Sequence, residues 1–339
     1  MSAPDATAPS PAFLERFRAR AGDGGVMPFD RFMDLALYDP ALGYYRRDRV
    51  RVGRAPGTDF HTASSVGPVF GELVCAAAGA LIARRRARPA DFAFVEIGAE
   101  PGSGVLAGVA HPFAAAREIR IGEPLDLSGP CVVFSNELFD AQPCRRLVFR
   151  GGAWRELGVA LRTGRLVETE MAATQSGADG DGLPVLPVPW HENYRLDLPL
   201  AAAGLARRIA AQPWSGLFLA FDYGKTWPEL LEDTPAGTAR AYYRHRQHND
   251  LLARPGEQDL TCHVCWDWLS GALRSARFAP PVVERQEAFF IHHAADWLAA
   301  QASGEPTATS PRKLALMQLL HPGNLGQKFQ ALHAWRESS

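Results

Sequence analysis

An α/β fold wound on a parallel sheet is the class this sequence predicts. Three apolar runs predict it: residues 92–97, 131–135 and 217–222, each long enough for a buried strand. Each run also finishes in polar groups: Glu96 in the first, Asn136 and Glu137 after the second, Asp222 in the third. In open α/β sheets ligands bind beyond the carboxyl ends of the strands. Strands that deliver acids and amides there predict a site along one edge of the sheet.

The remaining elements follow from periodicity. Residues 1–12, rich in Ala, Pro and Ser, read as disordered, within an N-terminal arm over 1–28. MPFDRFMDLALYD carries Phe29, Phe32, Met33, Leu35, Ala36 and Leu37 at helical spacing, and Gly43-Tyr44-Tyr45 reads as an exposed aromatic turn or short strand. PVFGELVCAAAGALIARRR is the longest helix candidate, so residues 29–90 predict a helical wall. Residues 151–200 hold the β-like GGAWRELGVALR, then the loop QSGADGDGLPVLPVP, and read as an inserted lid; LPLAAAGLARRIAAQ is helical. Near the C-terminus WDWLSGALRSA and KLALMQLL read as helices and the aromatic QEAFFIH as a strand.

Composition narrows the function. The 339 residues are 47% hydrophobic and 22% charged, with a formal net charge of -1, which gives no electrostatic case for nucleic acid or an anionic membrane. No apolar run is long enough to span a bilayer, and the start lacks a secretory signal pattern. Five scattered cysteines do not make a disulfide framework, so the expectation is a protein of a reducing compartment, the cytoplasm.

Several stretches suggest chemistry. Glu96-Ile97-Gly98-Ala99-Glu100-Pro101-Gly102-Ser103-Gly104 is an acid-ended strand running into a glycine loop, which lets backbone approach a nucleoside closely. An ordinary strand-to-helix turn is the competing reading. Gly102, Gly104 and Gly108 also give a GxGxxxG spacing, but Glu96 and Pro101 sit where a dinucleotide loop would have glycines and an open helix start. Cys262-His263-Val264-Cys265 has the spacing of a metal or redox pair, but it has no second pair and reads as structural. Tyr223, Tyr242, Tyr243, His245 and His248 form polar-aromatic clusters that suit either a cationic ligand or a packed rim. No G-x-S-x-G elbow and no P-loop are present.

Six ordered motifs carry a family resemblance. FDRFMDLALYDPALGYYRR, GTDFHTASSVGPVFGELV, SNELFDAQP, AFDYG with GTARAYYRH, PGEQDLTCHVCW and LGQKFQAL resemble the MidA-like family of class I S-adenosylmethionine-dependent methyltransferases, relatives of a mitochondrial complex I assembly factor. The likeness runs from about residue 28 to 333. It implies a Rossmann-like class I methyltransferase sheet and S-adenosyl-L-methionine as cofactor. On this resemblance Asp59, Phe60, Thr62, Glu96, Gly98, Gly102, Gly104 and Asn136 would bind the cofactor, and Glu137 and Asp140 would be catalytic. The implied acceptor is a protein arginine. No metal is implied.

The sequence departs from the family in two places. Ala99 and Glu100 stand where the family loop has Pro and Gly, and the 38 positions from Gly98 to Asn136 are too few for two further strands with their helices, since one βαβ unit takes roughly 30 residues. The resemblance therefore predicts a truncated sheet. The acid that the family's second strand supplies to the ribose could come here from Glu118 or Glu123, although IRIGEPLDL reads as the lead-in to the next strand. Two rival readings follow: a cofactor-deficient scaffold or assembly factor, and a nicotinamide oxidoreductase using GxGxxxG.

Overall fold

In the computed structural model, residues 7–47, 67–100, 102–173, 184–302 and 310–338 are described. Asp59, Phe60 and Thr62 lie outside them. The chain divides into two compact units. The first comprises Met1–Arg49, Asp140–Ala203 and Lys225–Cys265; the second comprises Val50–Phe139, Gly204–Gly224 and Trp266–Ser339.

The second unit is built on a six-stranded sheet. Its strands are β2 (Ala93–Ile97), β3 (Ala115–Ile119), β4 (Gly129–Asn136), β9 (Trp214–Asp222), β15 (Val282–Arg285) and β16 (Gln330–Arg336), in the order β15-β16-β9-β4-β2-β3. Strands β3, β2, β4 and β9 are parallel, and β16 and β15 close the other side antiparallel. The three predicted strands are therefore neighbours, and they carry the parallel half. Helix α3 (Pro68–Arg84) starts at a Pro in its first turn, where the missing N–H costs nothing. It buries Phe70, Leu73, Val74, Ala77 and Ile82 in one core with Phe94, Val132, Phe134, Leu219 and Phe221 of the sheet. Helices α6 (Trp266–Ser275), α7 (Gln286–His293), α8 (Ala295–Ala302) and α9 (Pro311–Leu320) complete the unit.

Two sequence expectations are corrected here. QEAFFIH forms α7, not a strand: Gln286, Phe289, Phe290 and His293 are buried at i, i+3, i+4 and i+7. The truncation expected between Gly98 and Asn136 is only partial: residues 115–119, which end where the IRIGEPLDL lead-in begins, form strand β3. The β2–β3 crossover contains no helix among the described residues, and that is how a second strand fits into so short a segment.

The first unit holds an antiparallel sheet. Strands β1 (Val26–Pro28), β5 (Arg145–Arg150), β6 (Ala153–Arg162), β7 (Arg165–Ala173) and β8 (Arg195–Leu198) join in the order β1-β6-β5-β8, with β7 also on β6. Gly151-Gly152 and Thr163-Gly164 supply the paired positive φ angles of two-residue hairpin turns. In the stretch expected to be a lid, residues 153–162, 165–173 and 195–198 are strands of this sheet, and residues 174–183 lie outside the described residues. Residues from 8 onward, expected in an arm, hold α1 (Pro11–Ala21), whose Ser10 cap and buried Phe13 and Phe17 fix it. Residues 29–90 are shared between the units, with α2 (Phe29–Tyr38) in the first and α3 in the second. Tyr44, expected to be exposed, is fully buried in a short 3₁₀ turn. A second small sheet joins β11 (Arg240–Tyr243), β12 (Arg246–His248) and β13 (Asp259–Thr261). Helix α4 (Leu200–Ala210), strand β10 (Gly224–Lys225), helix α5 (Trp227–Glu232) and strand β14 (Val264–Cys265) are further elements among the described residues.

Candidate active site

The carboxyl ends of β2, β3, β4 and β9 gather the candidate cofactor residues of the second unit. Glu96 is buried one residue from the end of β2, and its Oε2 accepts the Val105 N–H at 2.7 Å. Burial pushes its carboxyl up to about 8; the Val105 bond opposes the rise and nearby Glu118 adds to it. Glu96 is therefore mostly protonated at neutral pH and can donate as well as accept. Its partner in register on β3 is Glu118, whose Oε2 is gripped by Arg120 at 2.7 and 3.1 Å.

The glycines have different reasons to be there. Gly98 has φ +86, and a side chain would run into Leu138. Gly104 needs its missing Cβ for space: a methyl there would lie 2.2 Å from Glu118 Oε1 and 3.2 Å from Glu96 Oε2. The loop and the two acids thus form one close-packed cradle. Residues 102–110 are turns and irregular backbone that open no helix, so Gly102, Gly104 and Gly108 do not build a dinucleotide loop. A cavity of about 430 Å³ lies beside the cradle, lined by Glu96, Leu106, Ala107, Arg117, Glu118 and Arg120 among others.

The NELFD stretch is held from β9. Glu137 donates its N–H to Phe221 O at 2.9 Å and has φ +51, a left-handed conformation uncommon for a residue with a side chain. Asp222, fully buried, accepts the Phe139 N–H at 2.8 Å on one oxygen and the Tyr223 N–H at 2.9 Å on the other. Asn136 donates to Glu137 Oε1 at 3.1 Å, while its own Oδ1 is buried with no hydrogen-bond partner among the described residues. A buried acceptor left unpaired costs about 1–3 kcal/mol, so this atom fits a donor from a bound molecule.

Asp140 belongs to the first unit. It is buried, and its carbonyl accepts the Cys262 N–H at 2.8 Å. Around it Tyr38 donates to Ala141 O at 2.8 Å, Tyr45 donates to Asp259 Oδ1 at 2.8 Å, and the two rings stack at 5.6 Å. Burial, then the charges of Asp259 and Asp140, hold both phenols well above their usual range. These tyrosines lie within the FMDLALYDPALGYY motif; the signal that could have assigned them was their spacing to a second acid-bearing stretch, EQDLT.

Other candidates resolve as structure. Cys262 and Cys265 are buried free thiols; the Cys262 thiol is in hydrogen-bond contact with the Cys144 thiol and lies 3.5 Å from Thr238 Oγ1. The Tyr243 ring is already faced by Arg254 at 4.5 Å and Arg244 at 5.1 Å.

Residues 115–281 match the model of a family described as "Putative S-adenosyl-L-methionine-dependent methyltransferase". Among solved structures, the chain is similar to a COG1565 superfamily methyl transferase from Burkholderia thailandensis bound to S-adenosyl-homocysteine, at 24% identity and a TM-score of 0.81, covering 99% of this chain and 95% of that one. A native crystal structure of a COG1565 superfamily protein from the same organism matches at 24% identity and a TM-score of 0.77, over 98% and 95% of the two chains. The fold is the Rossmann-like class I methyltransferase fold. Among curated proteins, none matches.

Proposed function

We propose that the chain is an S-adenosylmethionine-dependent methyltransferase of the MidA-like kind, acting in the cytoplasm on a protein arginine. The observation that carries this reading is the unpartnered Asn136 Oδ1 beside the Glu96–Glu118–Gly104 cradle, at the strand ends where this fold takes its ligand. The family match over residues 115–281 and the S-adenosyl-homocysteine in the similar structure support it. The cofactor would supply an electrophilic methyl on a sulfonium. Glu96, Gly98, Gly102, Gly104 and Asn136 would hold it, with Glu118 facing the sugar hydroxyls.

Positioning an acceptor is the remaining task, since transfer is governed by approach and by the acceptor's protonation. Glu137 is proposed to orient the acceptor through its carboxylate, which attracts a guanidinium. Within the first unit taken by itself, Asp140 and Asp259 with the stacked Tyr38 and Tyr45 combine carboxylates and aromatic faces, the chemistry that attracts a cation.

A specific observation favours a second reading, that of a cofactor-deficient scaffold. The β2–β3 crossover is short and carries Glu100, and the Glu118 carboxylate occupies the space beside Gly104. Calorimetric titration with S-adenosylmethionine and S-adenosylhomocysteine, with NADPH as control, separates the two. Micromolar binding of the first two, lost in Glu96→Ala and Asn136→Ala, supports the enzyme. No heat from a protein shown to be folded supports the scaffold. Methyl transfer to arginine peptides over lysine peptides then tests the acceptor.

A further inference from the structure

At the opposite side of the second unit's sheet, three donor atoms converge from three elements. Glu284 comes from β15, His293 from the last turn of α7 and His333 from β16, and one ligand atom of each lies within 4.8 Å of the other two. The Nε2 atoms of His293 and His333 approach the same carboxylate oxygen, Glu284 Oε2, at 2.9 and 3.2 Å. A third imidazole, His292, holds the other oxygen through Nδ1 at 2.5 Å. We propose that Glu284, His293 and His333 form a binding site for a divalent transition-metal cation of the zinc type.

The geometry and the donor set carry this. Two imidazole nitrogens and one carboxylate oxygen, with a fourth position for water, is a known zinc combination. Donors at about 2.0–2.2 Å from a tetrahedral ion stand roughly 3.3–3.5 Å apart, so the observed 2.9 and 3.2 Å ask for a small opening. His292 supplies the outer contact that orients a coordinating carboxylate. Access exists: His333 lines a groove of about 360 Å³ with Leu81, Arg84, Ala279, Pro280 and Val282.

Arg84 sets the strength of the site. Its Nη1 lies 2.9 Å from His293 Nδ1, and its Nη2 donates to His292 O at 3.1 Å. A guanidinium has donors and no acceptor, so Nδ1 keeps its lone pair and Nε2 carries the proton. Metal binding at Nε2 moves that proton to Nδ1, which Arg84 cannot accept. Arg84 therefore opposes the cation and must swing away. Replacement by Gln offers a carbonyl to Nδ1–H and removes a positive charge.

The test uses the full-length untagged protein and Zn²⁺, followed by a competing chromophoric chelator and by the thermal midpoint. The expected result is one equivalent bound, affinity lowered at least about 100-fold by Glu284→Gln and by His333→Gln, and raised about 10-fold by Arg84→Gln. No binding, or one equivalent retained unchanged in both weakened variants, overturns the site. Should those variants misfold, Co²⁺ titration of the unaltered protein decides: visible ligand-field bands without a thiolate charge-transfer band support the site, and a thiolate band places the ion on cysteines and overturns it.

Discussion

Glu96 and Glu118 stand opposite each other on adjacent parallel strands, and both carboxylates reach the space beside Gly104. The fold keeps the inner of these two acids mostly protonated and the outer one tied to Arg120. That pairing gives the first prediction.

With its carboxyl at about 8 instead of the ordinary 4.5, folded Glu96 holds a proton that the unfolded chain releases. Its contribution to stability is complete below pH 4.5 and is lost as pH rises through about 8. Over that window this group should lower stability by up to about 1.4 kcal/mol per pH unit. Glu96→Gln should flatten the profile between about pH 5 and 8, read from urea midpoints at each pH. Equal slopes in both proteins would refute the buried, protonated acid.

Asp197 is the anchor of the first unit. It accepts Arg146 Nε at 2.8 Å, Thr238 N at 2.6 Å and Ala239 N at 2.8 Å, and is itself buried. Asp197→Ala leaves a buried guanidinium and two amides short of their acceptor and should cost about 3–5 kcal/mol in urea unfolding. Asp197→Asn, which keeps an acceptor oxygen, should cost less.

Two glycine substitutions should move stability in opposite directions. A methyl on Gly71 would lie 2.1 Å from the Val105 carbonyl, so α3 could not stay against the β2–β3 crossover. Gly71→Ala should cost about 1–3 kcal/mol. Gly271, inside α6, has open space around it, and Gly271→Ala should stabilise by about 0.5–1 kcal/mol. Thermal or urea midpoints of the pair, measured side by side, check both.

All five cysteines are buried, and burial followed by Glu72 pushes Cys75 up to about 12. A thiol-reactive chromogenic reagent should find almost none in the native protein at neutral pH and five after unfolding. Rapid native labelling of Cys262 or Cys265 would reopen the redox reading of that CxxC.

The parallel strands were legible because their apolar runs are continuous and end abruptly, as at Phe134-Ser135-Asn136. Strand β3 was not. Apart from the buried Ile119 at its end, its residues are Ala, Arg and Glu, exposed along most of its length, so no apolar run marks it. Helix α7 was misread because Phe289-Phe290 favours a strand by propensity, while the deciding i, i+3, i+4, i+7 burial includes Gln286 and His293. In the candidate site, Glu96 and Asn136 could be named from their positions at strand ends. The organising role of Asp222 could not, because it rests on amides 83 positions away and next door.

The helix-free crossover also leaves β3 as the rim of the sheet, paired with β2 alone among the described residues. A rim strand is where a second molecule can add itself and begin to aggregate. Arg117 and Glu118 on β3, with Arg120 just beyond, put charge along that rim, so replacing them with apolar residues would trade solubility for self-association.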